Sequence, residues 1–376
     1  MRLRTILGGV VAVLALAAVA VAVAFGSGGG TGGSSGVRIV QASETTTTPA
    51  APSAPTTLTK LPKATVADGT APVVLRLSGP VAPTSPTPLI SPGVAGKWTT
   101  SGNLETFTPA STLEPCASYQ ITVWSQTTAV GQLPLGTQRI VKFAVPCPGT
   151  HALQQALARL HYLPYRFHAR STVPQSGRET RSAAARAAFK PPAGHFVRQV
   201  KDAPPLAAGQ VDTTTRGALE VFQEDHGASP SGIADAATWA SLLGAETAGA
   251  TDRTPYTFVT VSQSDPETLE VHRGTKVVLK TPANTGVPGA PTQNGEFAIY
   301  ERFTSTTMTG TNPDGSHYSD PGVPWVNYFN GGDAVHGFNR ASYGFPQSDG
   351  CVELPPSTAA TVYKMLAIGD IVTVSG

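Results

Sequence analysis

The stretch His336–Glu353 reads HGFNRASYGFPQSDGCVE. It holds His336 and Cys351, fifteen positions apart and each next to a glycine. A cysteine thiol is mostly protonated at neutral pH, so a catalytic cysteine needs a nearby base or a positive local field. His336 can serve as that base, because histidine titrates closest to neutral pH. The pattern therefore predicts a cysteine nucleophile paired with a histidine.

The two neighbouring glycines fit the same chemistry. Gly337 leaves a backbone carbonyl free to hold one tautomer of the imidazole. Gly350 lets a substrate carbonyl approach the amides around Cys351, which could form an oxyanion hole. The alternative, from these residues alone, is that Cys351 is a buried small apolar residue and His336 a hydrogen-bonded polar one.

The same stretch resembles the signature of the L,D-transpeptidase (YkuD-type) catalytic domain. In that signature His-Gly is followed, after a spacer, by Ser, usually His, then Gly, Cys and an apolar residue. This sequence has His336–Gly337 and then Ser348–Glu353, which reads SDGCVE. The likeness extends upstream to Pro291–Phe297 (PTQNGEF) and Trp325–Gly332, and it covers roughly residues 254–376.

The resemblance implies a cell-wall enzyme that acts on peptidoglycan stem peptides through a cysteine acyl-enzyme. Cys351 would be the nucleophile and His336 the base. Ser348 and Asp349, just before the cysteine, are predicted to contact the substrate. Acyl transfer of this kind needs no metal and no organic cofactor.

Two positions depart from the family pattern. Asp349 stands where the family usually has His, and Glu353 stands where it usually has Asn or Arg. Their negative charge opposes formation of a thiolate. A catalytically silent wall-binding protein therefore stays open. So does an L,D-carboxypeptidase or other hydrolase that uses the same Cys351 and His336.

Aromatic residues near the signature could line a substrate cleft, but each could equally belong to the core. They are Tyr300, Phe303, Trp325, Tyr328 and Tyr343. Trp325, Tyr328 and Tyr343 are the candidate substrate-binding residues among them.

Composition excludes several other functions. The 376 residues suffice for two or three domains, while 13% charged residues and a net charge of +2 offer no basic patch for nucleic acid. Nucleotide-binding glycine motifs and closely spaced Cys/His pairs are lacking, which disfavours nucleotide and zinc chemistry. The 39 glycines and 33 prolines favour a mainly β protein with many turns.

The N-terminus predicts export. Met1–Arg4 precedes an uncharged apolar run, Thr5–Phe25, that is long enough to span a bilayer. Residues 1–26 are read as a membrane anchor or a cleaved signal peptide, and both place the rest outside the cytoplasm, in the cell envelope. Residues 27–63 are low in complexity and predict a disordered linker.

Residues 64–148 predict a β-sandwich. Short apolar strands, separated by Pro/Gly/Ser clusters, are expected at Val73–Leu77, Thr106–Phe107, Tyr119–Trp124 and Arg139–Val145. The segment resembles bacterial immunoglobulin-like modules through Phe107–Val123.

Cys116 and Cys147 flank the last two of these strands. Pairing Tyr119, Ile121 and Val123 with Val145, Phe143 and Val141 places Cys116 one residue away from Cys147. This pairing predicts a disulfide between Cys116 and Cys147. Three cysteines in an exported chain divide into one such pair and one free thiol at Cys351.

Residues 149–248 change to helical spacing. Helices are expected over Ala152–Leu163 and Thr214–His226, and a third begins after an Asp235 N-cap and runs through Leu243. The three segments resemble a small peptidoglycan-binding helical module. An Arg/Ala/Pro-rich insertion at about residues 165–209 departs from it, so a purely structural role stays open.

Residues 254–376 return to alternating patterns. Strands are expected at Thr257–Val261, Thr268–His272, Lys276–Lys280, Glu296–Tyr300 and Gly369–Val374, with a helix over Pro356–Leu366. The fold class is therefore multidomain and mainly β: an immunoglobulin-like sandwich, a three-helix peptidoglycan-binding-like module and a mostly antiparallel catalytic domain.

Overall fold

A computed structural model of the protein describes residues 54–59, 69–170 and 181–376. The predicted anchor or signal segment, most of the predicted linker and residues 171–180 of the predicted insertion lie outside these ranges. Within the described ranges, no helix is both long and apolar enough to cross a membrane.

The first part of the chain forms two small antiparallel sheets around one apolar core. Its strands are β1 (Leu58–Thr59), β2 (Val73–Leu77), β3 (Leu89–Ser91), β4 (Gly96–Ser101), β5 (Leu104–Pro109), β6 (Ser118–Val123) and β7 (Arg139–Ala144). One sheet has the order β1-β2-β5-β4 and the other β3-β6-β7. Leu75 and Phe107 from the first sheet pack in one core with Ile121 and Phe143 from the second. Two facing sheets agree with the predicted sandwich, and its immunoglobulin-like character stays a prediction.

The pairing of β6 with β7 differs from the predicted register. Tyr119 lies opposite Phe143 and Ile121 opposite Val141, two residues away from the predicted partners. A shift of two residues keeps the same side chains on the inward face, so alternation alone cannot distinguish the two registers.

A disulfide joins Cys116 and Cys147 beside the open ends of these strands, with a Cα–Cα distance of 4.4 Å. The backbone amide of Cys116 donates to the carbonyl of Pro146 at 3.2 Å. The disulfide thus joins β6 and β7 just beyond their last paired residues, Ser118 and Ala144.

The middle of the chain is helical. Its elements are α1 (Thr150–Arg159), β8 (Tyr165–Ala169), α2 (Arg181–Phe189), β9 (Gly194–Arg198), α3 (Thr213–Asp225) and α4 (Ala236–Ala248). The three predicted helices are present as α1, α3 and α4, and the Asp235 carboxylate accepts from the Thr238 amide at 2.8 Å as the predicted N-cap. Helix α1 ends before the predicted Leu163, because the chain turns at His161 with a left-handed φ of 69°.

The insertion has its own secondary structure, which the sequence analysis did not predict. Strands β8 and β9 form a hairpin in which Phe167 lies opposite Phe196. Helix α2 connects to the preceding sandwich, because the Arg181 guanidinium donates to both carboxylate oxygens of Glu114 at 2.9 Å.

The last part of the chain contains two sheets and a helix. Its elements are β10 (Thr257–Ser262), β11 (Thr268–Arg273), β12 (Lys276–Pro282), β13 (Gly295–Ala298), β14 (Glu301–Thr311), β15 (His317–Asn330), β16 (Asp333–Gly337), β17 (Val352–Leu354), α5 (Pro356–Met365) and β18 (Ile371–Ser375). The sheet orders are β12-β11-β10-β18-β13 and β14-β15-β16-β17. All pairs are antiparallel except β10 with β18 and β16 with β17.

The helical part packs tightly on this last part through two glycines. A Cβ atom on Gly217 of α3 would collide with the carbonyl oxygen of Gly369, and a Cβ atom on Gly369 would collide with the carbonyl oxygen of Gly217. The two backbones are therefore in direct contact, with no room for a side chain between them.

This contact predicts that Gly217→Ala destabilises the protein by about 1–3 kcal/mol, because the added methyl must displace backbone. Gly244→Ala in α4 is the matched control, since its Cβ would meet only the Arg181 side chain, at 3.6 Å. The control is expected to be neutral or stabilising, because alanine favours a helix over glycine. Urea unfolding of both variants checks this, and equal behaviour would contradict the close contact.

The disulfide predicts a second stability effect. Replacing Cys116 and Cys147 together by Ser should lower the free energy of unfolding by about 3–4 kcal/mol, because the bridge closes a sequence separation of 31 residues. Cys351→Ala leaves the bridge intact and serves as control. A loss of stability in the control as large as in the double variant would overturn this assignment, as would two free thiols at Cys116 and Cys147 in peptide mapping.

Candidate active site

The parallel pairing of β16 with β17 positions His336 and Cys351. Val335 pairs with Val352, and both side chains are buried in the core. Side chains alternate along a strand, and paired residues on neighbouring strands share a face. His336 and its partner Glu353 therefore lie on the other face, and Cys351, directly before β17, continues that face beside Ala334. The sheet thus presents the thiol and the imidazole on one side.

His336 is buried and oriented by its own neighbour. Its Nδ1 atom lies 3.1 Å from the carbonyl oxygen of Gly337. A carbonyl oxygen only accepts, so Nδ1 carries the hydrogen and Nε2 is left with a free lone pair. Burial lowers the pKa of His336 and outweighs the hydrogen bond to Gly337 and the charge of Glu353, both of which raise it. The imidazole is therefore neutral at neutral pH.

Cys351 is the free cysteine of the described residues and is half-buried. Burial raises the pKa of its thiol to about 12, and the negative charges of Asp333, Glu353 and Asp349 act in the same direction. The Sγ atom of Cys351 contacts the carbonyl oxygen of Gly332 at 3.9 Å. Within the described part of the chain, Sγ forms no hydrogen bond with His336. The resting site therefore holds a neutral thiol and a neutral imidazole.

The Glu353 carboxylate, one of the two departures in the signature, is paired. Arg340 donates to Oε2 through Nε at 2.8 Å and to Oε1 through Nη2 at 2.7 Å. The same guanidinium donates to the carbonyl of Gln347 and lies over the ring of Phe338, 4.7 Å from its centroid. Arg340 therefore offsets the negative charge next to His336 and connects the two ends of the loop between β16 and β17.

The residues before Cys351 shape its turn. The Ser348 hydroxyl is buried and donates to the carbonyl of Cys351 at 2.6 Å. Gly350 has a φ of 113°, and a Cβ atom there would collide with the Asp333 carboxylate. Its carbonyl accepts from the Thr292 hydroxyl at 2.8 Å. Asp349, the second departure, is exposed.

The candidate aromatic residues occupy different places. Tyr328 packs in the same apolar cluster as Cys351 and lies 6.2 Å, centroid to centroid, from Tyr300. The ring of Trp325 packs instead against Tyr363 of α5, at 5.6 Å. The Tyr343 hydroxyl donates to the carbonyl of Phe338 at 2.6 Å, within the loop. Of the three candidates, the structure brings Tyr328 to the thiol.

Two residues near this site were not predicted from the sequence. Arg340 lies inside the stretch that was singled out, and its position between His336 and Glu353 was the available signal. Tyr318 joins Tyr328 in the cluster that includes Cys351, although the polar start of its strand, His317–Asp320, gave no apolar alternation to reveal it. Among the described residues, no group of three or more side chains could hold a metal ion.

Two segments match known families. Residues 256–374 match the L,D-transpeptidase catalytic domain family (YkuD). Residues 197–242 match a peptidoglycan binding domain family. None of the curated proteins compared with the chain matches it.

Several solved structures are also similar to parts of the chain. The catalytic domain of an Enterococcus faecium L,D-transpeptidase acylated by ertapenem is 27% identical and covers 33% of this chain and 100% of its own, with a TM-score of 0.30. An L,D-transpeptidase from Mycobacterium smegmatis is 14% identical and covers 86% and 100%, with a TM-score of 0.29. L,D-transpeptidase 3 from Mycobacterium tuberculosis, with a faropenem-derived adduct, is 14% identical and covers 85% and 97%, with a TM-score of 0.29.

The family matches fall on the two parts of the chain that the signature and the helical pattern indicated. The matches confirm the predicted resemblance to the L,D-transpeptidase catalytic domain over residues 256–374 and to a peptidoglycan-binding domain over residues 197–242.

Proposed function

We propose that the protein is a cell-wall L,D-transpeptidase that cross-links peptidoglycan stem peptides through an acyl-enzyme on Cys351. The observation that carries the proposal is the position of Cys351 on the same sheet face as His336, whose Nε2 is free to accept a proton. Ser348, Gly350 and Arg340 support it by fixing the loop that joins the two groups.

The first half-reaction transfers the donor acyl group to the enzyme. The thiol gives its proton to Nε2 of His336, and the sulfur attacks the carbonyl carbon of the L,D peptide bond. Amides near Gly350 and Cys351 stabilise the oxyanion. His336 then protonates the departing amine, so the terminal D-amino acid leaves and a thioester remains.

The second half-reaction restores the thiol. An acceptor amine, from the side chain of the third residue of a neighbouring stem, attacks the thioester carbonyl. Its proton passes to His336 as the new amide bond forms and the C–S bond breaks. His336 returns that proton to Cys351. The Gly337 carbonyl keeps Nδ1–H fixed, so Nε2 exchanges the proton in every step.

The resting protonation states favour a coupled proton transfer. A thiol pKa of about 12 and a lowered imidazole pKa make a separated thiolate–imidazolium pair costly before substrate binds. The proton therefore moves as the sulfur attacks, when negative charge passes to the oxyanion. The same neutrality limits reaction of the free enzyme with other electrophiles.

The remaining parts of the chain would place this site at the wall. Residues 1–26 would anchor the chain or direct its secretion, and residues 27–63 would act as a spacer. The sandwich at residues 64–148 would act as a spacer or orient the substrate. The helical module at 149–248 would hold peptidoglycan near the catalytic domain at 254–376. The peptidoglycan-binding match at residues 197–242 supports the role of the helical module in this arrangement.

The nucleophile is tested by acylation. The exported part of the chain should gain one covalent mass from a carbapenem, and Cys351→Ala should abolish the adduct. His336→Ala should slow acylation by at least about a hundredfold, as loss of a general base does. His317→Ala, an exposed histidine on β15, is the matched control and should acylate normally. An adduct that persists in Cys351→Ala, or maps to Cys116 or Cys147, would remove Cys351 from the mechanism.

Products separate the proposed reaction from its alternatives. Incubation with purified tetrapeptide stems should give cross-linked dimers. Trimmed monomers alone would indicate an L,D-carboxypeptidase, and unchanged stems would indicate a silent wall-binding protein.

The Arg340–Glu353 pair predicts the pH dependence of acylation. The base works when deprotonated, so a lowered His336 pKa puts the acid limb of the wild-type profile below the ordinary histidine value of about 6.5. Arg340→Gln leaves Glu353 unpaired, which raises the His336 pKa and moves the acid limb to higher pH. The rate near pH 6 should fall several-fold.

Two further variants isolate the charge effect. Arg340→Gln combined with Glu353→Gln removes both charges and should return the acid limb towards wild type. Arg340→Lys keeps the positive charge and should shift the limb least. An acid limb that stays in place in the Arg340→Gln single variant would show that the pair does not act on His336.

A further inference from the structure

A cleft of about 450 Å³ lies where the helical part meets the catalytic domain. One wall comes from the end of α1 and the start of the inserted hairpin, and includes His161 and Arg166. The other comes from the connecting segment before β10 and includes Arg253 and Tyr256. His161, Arg166 and Arg253 lie outside both family-matched segments, so neither match accounts for the cleft.

The cleft is basic. Arg159, at its edge, is neutralised by an ion pair with Glu246 at 2.5 Å. Arg166 and Arg253 are exposed and form no ion pair with any of the described residues. The acidic residue in the lining is Asp252, whose carboxylate accepts from the Thr254 amide at 2.7 Å. Two unpaired guanidinium groups in a concave site concentrate positive potential there.

The positive charge continues along the inserted hairpin. Arg166 and His168 alternate on the outward face of β8, opposite Val197 and His195. The inward face carries Phe167 and Phe196, which pack on His151 of α1. Residues 165–209 contain eight lysines and arginines and two acidic residues, although the whole chain has a net charge of only +2. The insertion therefore concentrates positive charge in a chain that is otherwise slightly acidic.

We propose that this cleft and the outward face of β8 bind an extended anionic polymer, with Arg166 and Arg253 contacting its charged groups. Guanidinium groups favour phosphate and carboxylate oxygens because they donate in a planar fork that matches them. A cleft that opens onto a strand face suits a chain of repeating charges better than a single small ion. For a protein at the wall, the ligand would be a wall polymer with phosphodiester or uronic carboxylate groups.

Binding can be measured with two labelled probes, a poly(glycerol phosphate) oligomer and a polygalacturonate oligomer, by fluorescence anisotropy on the purified full chain. At least one probe should bind, more weakly as salt rises. Arg166→Gln combined with Arg253→Gln should weaken binding about tenfold or more at low salt and reduce the slope of log affinity against log salt by about one or two. Preference for one probe identifies the charged group.

Arg139→Gln combined with Lys142→Gln is the matched control, because it removes the same charge from exposed positions on β7. It should leave the affinity nearly unchanged. Failure of both probes to bind wild type, or equal losses in the two double variants, would overturn the proposal. Carbapenem acylation of the Arg166/Arg253 variant should equal wild type, so this result is independent of the proposed transpeptidase activity.

Discussion

The alignment of β16 with β17 is the constraint on which the site depends. Val335, Val352 and Leu354 fill the core between the sheets, and their burial fixes which face each strand turns inward. A slip of one residue would turn His336 and Glu353 into that core and turn the apolar side chains onto the face that holds the site. Hydrophobic burial therefore fixes the register of β16 with β17, and that register sets the positions of the Cys351 thiol and the His336 imidazole. An apolar pattern of three residues thus decides where a nucleophile and its base meet.

Arg340 offsets the electrostatic cost of burying the Glu353 carboxylate. Glu353 is buried beside His336, where an unpaired carboxylate would be costly and would favour a protonated ring. The bidentate pair with Arg340 places a positive charge beside the carboxylate, and that charge opposes the effect of Glu353 on the His336 pKa. The Glu353 departure from the family signature is thus compensated within the same loop. The Asp349 departure needs no partner, because its side chain is exposed to solvent.

Sequence patterns predicted helices and strands with regular apolar spacing. They did not predict features that depend on contacts between segments distant in sequence. Strong alternation revealed β2, β10 and β11, while the Ser/Thr-rich β14 is mostly exposed and carries little apolar signal. Cys351 and His336 stood out because their chemistry is rare. Trp325 and Tyr343 could not be placed from sequence, since an aromatic residue near a site packs in a core as readily as it lines a cleft. The predicted β6–β7 register was wrong because a two-residue shift keeps the same side chains on the inward face.

The catalytic domain and the helical part are packed against each other and are not independent domains. The Gly217–Gly369 contact brings α3 against the catalytic domain with no side chain between them. The walls of the basic cleft come from both parts, so the cleft exists only while the two parts are docked together. A ligand that binds only the docked arrangement must stabilise it by the free energy of its own binding. Occupancy of the cleft and the rigidity of the junction are therefore linked, and residues 165–167 of the insertion, which line one wall, lie outside both matched segments.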